Sequence, residues 1–372
     1  MHTATFAQHE ANAQRDNYTV WVALLLPFTS EDGGQNATTN RMIEYYEGVL
    51  LALEDLKRMG ISVDLQVADI GSGDRRLQSF LLSDDLKEVD LVIGGLSDKH
   101  TQSISTFCNR YNIPYVIPFT SQNNAVLKYP KVYQVNMSQA AIYPRASTAF
   151  CEKYRDANVI FCRDMALKGN KTDFCTQLEV DLKLNHIAYA SVDVNYLFEN
   201  LKTSLVADRL NIIVPDDDSE LRLELMSQPL KLFAEVYPDF QISLFGYPTW
   251  QTLTTNALLY QFNATFYSVY YANLTSPAVK KFQTNFQYWY SRNLIATFPK
   301  YGMLGYDTAM YFVQLLDEFG IAIGENINNI NYSGIQTNFR FEPVGAKGGF
   351  INNSLFFVEY MPDRNVFVSS VQ

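Results

Sequence analysis

Positive charge is scarce in this sequence: 29 Lys and Arg stand against 39 Asp and Glu, for a formal net charge of −10. No basic stripe interrupts that balance, which disfavours a partner built on a phosphate backbone, nucleic acid above all. Long hydrophobic runs are missing too. The longest, such as residues 20–28, reach about half of the roughly 20 residues that a helix needs to cross a bilayer, which argues against a transmembrane segment. Cysteine is confined to Cys108, Cys151, Cys162 and Cys175, with no C-x-x-C spacing, and a chain of this size does not depend on a disulfide framework. The four histidines, His2, His9, His100 and His186, form no pair at ligand spacing, which argues against zinc. G-x-S-x-G, H-E-x-x-H and P-loop patterns are absent. Gly71-Ser72-Gly73 lacks the third glycine of G-x-G-x-x-G and follows a second strand rather than a first, so it reads as a turn. The sequence thus calls for no cofactor and no metal, and no catalytic constellation stands out.

What remains is ample material for packing. Hydrophobic residues make up 47% and charged residues 18% of 372, the proportions of a globular protein too large for one core, so two domains of roughly 150–200 residues are expected. Residues 1–17 are polar and lack the positive start and apolar centre of a secretion signal, so they read as a flexible leader. Either the protein is cytoplasmic or an export signal has been removed. Buried free thiols are the simplest reading of the cysteines. A bridge between Cys162 and Cys175 is the alternative that a strand end and the following helix could bring together.

Residues 20–26 form a continuous apolar run ended by Pro27, the pattern of a strand buried on both faces of a parallel sheet. Met42, Tyr45, Tyr46, Val49, Leu50, Leu53 and Leu56 then recur at helical spacing until Gly60 stops the helix. Val63, Leu65 and Val67 alternate with Asp64 and Gln66, as in a strand nearer the sheet edge. A third strand is expected at residues 91–93, a helix capped by Ser97, and a fourth strand between Pro114 and Pro118. The same rhythm restarts with a helix near residues 140–154 and strands near 159–162, 187–191, 211–214, 242–245 and 265–270. Alternating strands and helices of this kind predict α/β architecture with doubly wound parallel sheets.

The order of these segments resembles type I periplasmic solute-binding proteins, especially the branched-chain amino-acid binders and related receptor ligand-binding domains, over about residues 18–368. The stretches that carry it are VALLLPFTSEDG with YYEGVLLALEDL, DLVIGGLSDKHTQSI, IPYVIPFTSQNNAVL, YGMLGYDTAMYFVQLL and GIQTNFRFEPVGAKGGFINNSLFFVEY. The resemblance implies two Rossmann-like lobes joined by a three-crossing hinge, with crossings near residues 135–139, 271–276 and 328–334. The lobes expected are 18–138 with 272–330 and 139–271 with 331–372. It also implies hinge closure on a ligand and a place in the periplasm or cell envelope.

In open parallel sheets, ligands sit beyond the carboxyl ends of the strands. The candidates in the first lobe are therefore Phe28, Thr29, Ser97, Asp98, Thr120 and Ser121, where hydroxyls beside a helix start suit a carboxylate. Those in the second are Arg163, Asp164, Asp193, Asp216 with its neighbours Asp217 and Asp218, Tyr247 and Trp250. The resemblance implies that aromatic and acidic residues here close over the ligand and pair with an ammonium group. Plainer readings exist for each: Ser97 as a helix cap, Trp250 as packing at the lobe rim, Arg163 in a solvated ion pair, and the Asp run as a helix N-terminus. Asp98 departs from the family's serine and would oppose an anionic group.

The functional expectation is a non-enzymatic binder of a small polar solute in the cleft, serving an ABC permease in uptake or sensing. The alternative is a cell-envelope interaction module of the kind found with peptidoglycan-binding LysM repeats, with no solute. A lesser alternative takes residues 216–218 as the metal-holding Asp-x-Asp of a nucleotide-sugar glycosyltransferase. A lactose-repressor-type regulator is excluded because the leader is too short for a DNA-binding headpiece.

Overall fold

The computed structural model describes residues 18–30, 33–121, 123–253 and 256–371; the expected leader, residues 1–17, lies outside them. Along the chain come β1 (Thr19–Leu26), α1 (Ala37–Arg58), β2 (Ser62–Asp69), α2 (Asp74–Leu81), β3 (Leu91–Gly94), α3 (Asp98–Tyr111), β4 (Tyr115–Ile117), α4 (Ala125–Lys128) and β5 (Val132–Gln134). A second series follows: α5 (Gln139–Lys153), β6 (Asn158–Arg163), α6 (Thr172–Leu184), β7 (Ala188–Asp193), α7 (Leu197–Ser204), β8 (Leu210–Pro215), α8 (Glu220–Val236), β9 (Gln241–Gly246), α9 (Ala257–Gln261) and β10 (Thr265–Ser268). The chain ends with α10 (Pro277–Tyr290), α11 (Tyr301–Phe319), β11 (Phe341–Pro343), β12 (Phe350–Asn352), β13 (Leu355–Tyr360) and β14 (Val366–Val371).

These strands build two seven-stranded sheets, ordered β11-β12-β5-β4-β3-β1-β2 and β14-β13-β10-β9-β8-β6-β7. Each is mostly parallel with an antiparallel margin, where β11 meets β12 in one and β13 meets both β10 and β14 in the other. In the first, β1 lies parallel between β2 and β3, which is why its run from Val22 to Leu26 is buried without alternation. Asn36 starts α1 by accepting from the N–H groups of Thr38 and Thr39 in a capping box. Glycine then sets how closely this helix meets α11, because a Cβ on Gly48 would lie 1.8 Å from the Gly302 carbonyl oxygen.

The chain divides into two compact units, one running to Met137 and resuming over Ala272–Asn353, the other comprising Ser138–Tyr271 and the chain from Ser354 onward. Residues 331–353, expected with the second lobe, belong to the first unit, and the third crossing falls at Asn353 rather than at residues 328–334. Two interactions account for this. The edge pairing of β12 with β5 draws the β11–β12 hairpin into the first sheet. Buried Asp307 on α11 accepts from Tyr332 Oη at 2.7 Å and from the N–H groups of Ile335, Gln336 and Thr337 at 2.8, 2.9 and 2.8 Å, clamping the preceding segment. Burial pushes the Asp307 carboxyl up to about 6 even though all four donors pull the other way.

The second unit is built on an aromatic core that includes Phe150, Phe161, Phe174, Phe233, Phe245 and Phe266. All four cysteines are buried free thiols, so the bridge considered between Cys162 and Cys175 is not formed. Cys175 Sγ instead lies 3.6 Å from Tyr247 Oη and 3.8 Å from the Pro215 carbonyl oxygen, and burial pushes both thiols up to about 12. Among the described residues no helix is long and apolar enough to cross a membrane.

Candidate functional site

In the first unit, Asp69 at the end of β2 organises the loops beyond the carboxyl ends of the strands. It accepts from Phe28 N at 3.0 Å, Thr29 Oγ1 at 2.7 Å, Gly71 N at 3.0 Å and Arg76 Nη1 at 2.7 Å. Burial raises its carboxyl, but the bonds from Thr29, Gly71 and Phe28 and the Arg76 charge outweigh that and hold it below its ordinary value. Arg76 Nη1 also donates to Thr29 Oγ1 at 2.6 Å. Phe28 and Thr29 are thus fixed in place, Phe28 through its backbone and Thr29 through a hydroxyl that retains a second lone pair. Beside them opens a cavity of about 430 Å³ lined by Ser30, residues 70–73, Asp74, Arg75 and Arg76. Asp69 and Arg76 were not among the sequence candidates. The signal was available, since an acid ending a strand beside a Gly-Ser-Gly turn is placed to bond the turn's N–H groups.

At the end of β3, Ser97 caps α3 by accepting from His100 N at 3.2 Å, the plainer of its two readings. Ser97 and Asp98 are both exposed, and Asp98 stands in the first turn, where a negative charge is favoured by the helix dipole. Beneath them His100 is buried; burial lowers its pKa, and Leu96 N lies 3.5 Å from Nδ1 as its donor. Thr120 and Ser121 follow β4 and are half-buried. Their loop is anchored by Asn136 Nδ2, which donates to the Phe119 carbonyl oxygen at 2.7 Å. Phe119 packs between Tyr45 and Tyr301 at 4.8 and 6.0 Å, and the Arg41 guanidinium lies 5.8 Å from the centre of the Tyr301 ring. This aromatic and cationic group was also missed, because its members are far apart in sequence.

The second unit places its candidates differently. Arg163 pairs with Glu179 at 2.5 Å and lies over the Phe161 ring at 5.0 Å. Asp164 accepts from Ala166 N and Leu167 N at 2.8 and 3.2 Å, and Asp193 from Asn195 N at 3.0 Å, so both serve local turns. Asp216 forms a buried pair with Arg222 at 2.5 Å. Asp218 accepts from Thr249 Oγ1, Asn170 Nδ2 and Lys171 Nζ at 2.6, 2.7 and 2.9 Å, while Asp217 accepts from Ser219 N at 2.9 Å. The solvated helix start expected at residues 216–218 is therefore corrected: Asp216 and Asp218 are interior anchors for the β8–α8 turn. Among the described residues no His, Cys, Asp and Glu group is placed to hold a metal ion.

Tyr247 and Trp250 require the largest correction. Tyr247 is fully buried and donates to the Pro215 carbonyl oxygen at 2.5 Å. Trp250, expected at the rim or on a ligand, is 1% exposed. It lies flat against Gly246, where a Cβ would sit 2.2 Å from the indole ring. Both belong to the core because the turn after β9 folds back over its own strand instead of projecting beyond it.

Two mostly parallel seven-stranded sheets in this order, each wrapped by helices, define the type I periplasmic-binding-protein fold. Solved structures bear this out over 95% of the chain. One is a protein of Rhodospirillum rubrum described as a branched-chain amino acid ABC transporter, matched over its whole length with a TM-score of 0.65 at 12% identity. A second is a branched-chain amino acid ABC transporter periplasmic ligand-binding protein of Burkholderia xenovorans LB400, matched over 95% of its length with a TM-score of 0.55 at 12% identity. A third, an ABC transporter substrate-binding protein of Desulfitobacterium hafniense in complex with Leu, is matched over its whole length with a TM-score of 0.51 at 12% identity. No family model matches the sequence, and no curated protein does.

Proposed function

We propose that this chain is a non-enzymatic, extracytoplasmic binding protein that holds a small polar solute, amino-acid-like or a related metabolite, for ABC-type uptake or sensing. The observation that carries the reading is the loop set of the first sheet, where Asp69 and Arg76 fix Thr29 beside an open cavity and α3 begins at exposed Ser97. Thr29 Oγ1, whose proton is given to Asp69 and which accepts from Arg76, is left as a fixed acceptor on a rigid sheet, and such pre-organised polar atoms suit binding. The fold shared with the Leu-bound Desulfitobacterium hafniense protein supports the same class of ligand. Exposed Asp98 at the start of α3 disfavours a carboxylate there and favours a neutral or cationic group on the solute.

Thermal unfolding in the presence of amino acids, short peptides and sugars tests this. A ligand at a hundred times its Kd stabilises the folded state by about 2.7 kcal/mol, a shift of a few degrees for a protein of this size. Thr29→Val is expected to reduce the response. No response to any solute overturns the reading and leaves an envelope interaction module without a solute as its successor.

A further inference from the structure

In the first unit, α10 buries Val279, Phe282 and Phe286 and presents Lys280, Gln283, Thr284 and Gln287 beside them, within about 100° of arc. These four line a cavity of about 480 Å³ together with Asn293, Leu294 and Lys300, which come from the loop joining α10 to α11. The loop is fixed from within the protein. Buried Glu44 on α1 accepts from Ile295 N at 2.5 Å and Gly302 N at 3.2 Å. Buried Gln336 accepts from Lys300 N at 2.8 Å and donates to the Lys300 carbonyl oxygen at 3.2 Å. The cavity is therefore shaped by bonds that its own lining side chains do not make. Among the described residues, none of the six polar side chains that line it has a hydrogen-bond or ion-pair partner, whereas Thr29 and Arg76 at the strand ends are already bonded to Asp69. Two of the six are ammonium groups, three are carboxamides and one is a hydroxyl. Among the described residues no acid lines the cavity, although acids outnumber bases by 39 to 29 in the chain.

We infer that this cavity is a binding site for a small hydroxylated anion, a sugar acid or a sugar phosphate. Lys280 and Lys300 supply charge for a carboxylate or phosphate, whose oxygens accept the strongest hydrogen bonds that an ammonium group can donate. Gln283, Gln287 and Asn293 each offer both a donor and an acceptor, and Thr284 does the same through one oxygen, which matches hydroxyl groups that need both. The volume falls within the roughly 300–1,000 Å³ of small-molecule sites. Leu294 is the single apolar side chain in the lining, so an apolar ligand gains little here. A neutral sugar uses the carboxamides but gains nothing from the two charges. The cavity shares no residue with the strand-end loops around Thr29, so this site and the solute site proposed above stand or fall separately.

Isothermal titration calorimetry of the full chain with glucuronate, glucose 6-phosphate and glucose reads this directly. The expected result is one bound anion per chain, with glucose weaker by about tenfold or more. Comparing the two anions shows whether the site prefers a carboxylate or a phosphate. The double variant Lys280→Met, Lys300→Met keeps the length of both side chains and removes their charge, and is expected to weaken the anion by about tenfold or more. Gln283→Glu places a negative charge in the lining and is expected to weaken it severalfold, as is added salt. Circular dichroism and the unfolding midpoint show that these variants are folded. Thr29→Val tests the strand-end site in the same titration and is expected to leave the affinity for the anion unchanged. Binding of neither anion, glucose bound as tightly as they are, or anion binding that the double lysine variant leaves intact overturns the proposal.

Discussion

Both units carry acids just beyond the carboxyl ends of their parallel strands, yet these acids stand in different surroundings. In the first unit Asp69 keeps 29% of its side-chain surface exposed and holds a loop with half-buried Thr29 beside an open cavity. In the second, Asp216 and Asp218 keep 4% and 8% and are tied to Arg222 and Lys171, while Tyr247 and Trp250 are core. An acid or aromatic residue after a parallel strand is therefore not a ligand group by position alone. Whether its turn projects past the sheet or folds back over it decides whether the side chain stays accessible or is packed away.

The sharpest way to break this comparison is to treat the second set as structural and remove it. Arg222→Met leaves Asp216 buried and uncompensated, a change expected to destabilise the second unit by about 3–5 kcal/mol. Adding Asp216→Leu should restore most of that loss, because an apolar pair needs no compensation. Trp250→Ala should cost a similar amount, about 3–5 kcal/mol, through the cavity left over Gly246. Denaturant unfolding followed by far-ultraviolet circular dichroism reports these losses. If Trp250→Ala left stability unchanged and abolished solute binding instead, the comparison would fail.

Much of the fold was legible beforehand because periodicity reports burial directly. The unbroken apolar run of β1 and the alternation of β2 distinguish a central strand from an edge strand, and the sheet order places them so. The hairpin of β11 and β12 was misplaced because its assignment depends on a long-range pairing with β5 and on the Asp307 clamp, neither of which leaves a local pattern. At the site, Ser97 could be read as a cap from its neighbours in sequence. Asp69 could be read as bonding its own Gly-Ser-Gly turn, but its bonds to Phe28 and Thr29 only once β1 and β2 were known to be adjacent, and Trp250 only once its turn was seen to fold back.

Asp307 extends the comparison within the first unit, since it is as buried as Asp216 but is satisfied by donors that carry no charge. Asp307→Asn turns an acceptor into a donor facing N–H groups, for an expected loss of about 2–3 kcal/mol. The sign of the pH dependence follows from a folded-state value near 6, above the ordinary 3.8. Protonation is favoured in the folded state, so the stability of the native protein relative to the Asn variant is greatest below the ordinary value and declines as pH rises toward about 6. Above that it is flat. Urea midpoints of both proteins between these limits would show it, and an unchanging difference would mean the clamp stays ionised throughout. Asp69→Ala should have a smaller effect on stability, about 1–2 kcal/mol, but a larger one on solute binding, because it releases Thr29.

Ser97 separates the two roles most finely. As a cap it contributes about 1 kcal/mol through its bond from His100 N. Ser97→Ala should lower the stability of the first unit by that amount, and Ser97→Asn should restore it, since Asn caps as well as Ser. Solute affinity is the discriminating readout. If Ser97 only caps, affinity in the Asn variant matches that of the native chain. If its hydroxyl also meets the solute, the larger amide beside exposed Asp98 lowers affinity while stability is unaffected. In the second unit Ser219 caps α8 in the same way, accepting from Arg222 N at 3.3 Å. Ser219→Asn should leave stability and solute affinity both unchanged, so the pair of Asn variants measures how far recognition is confined to the strand ends of the first sheet.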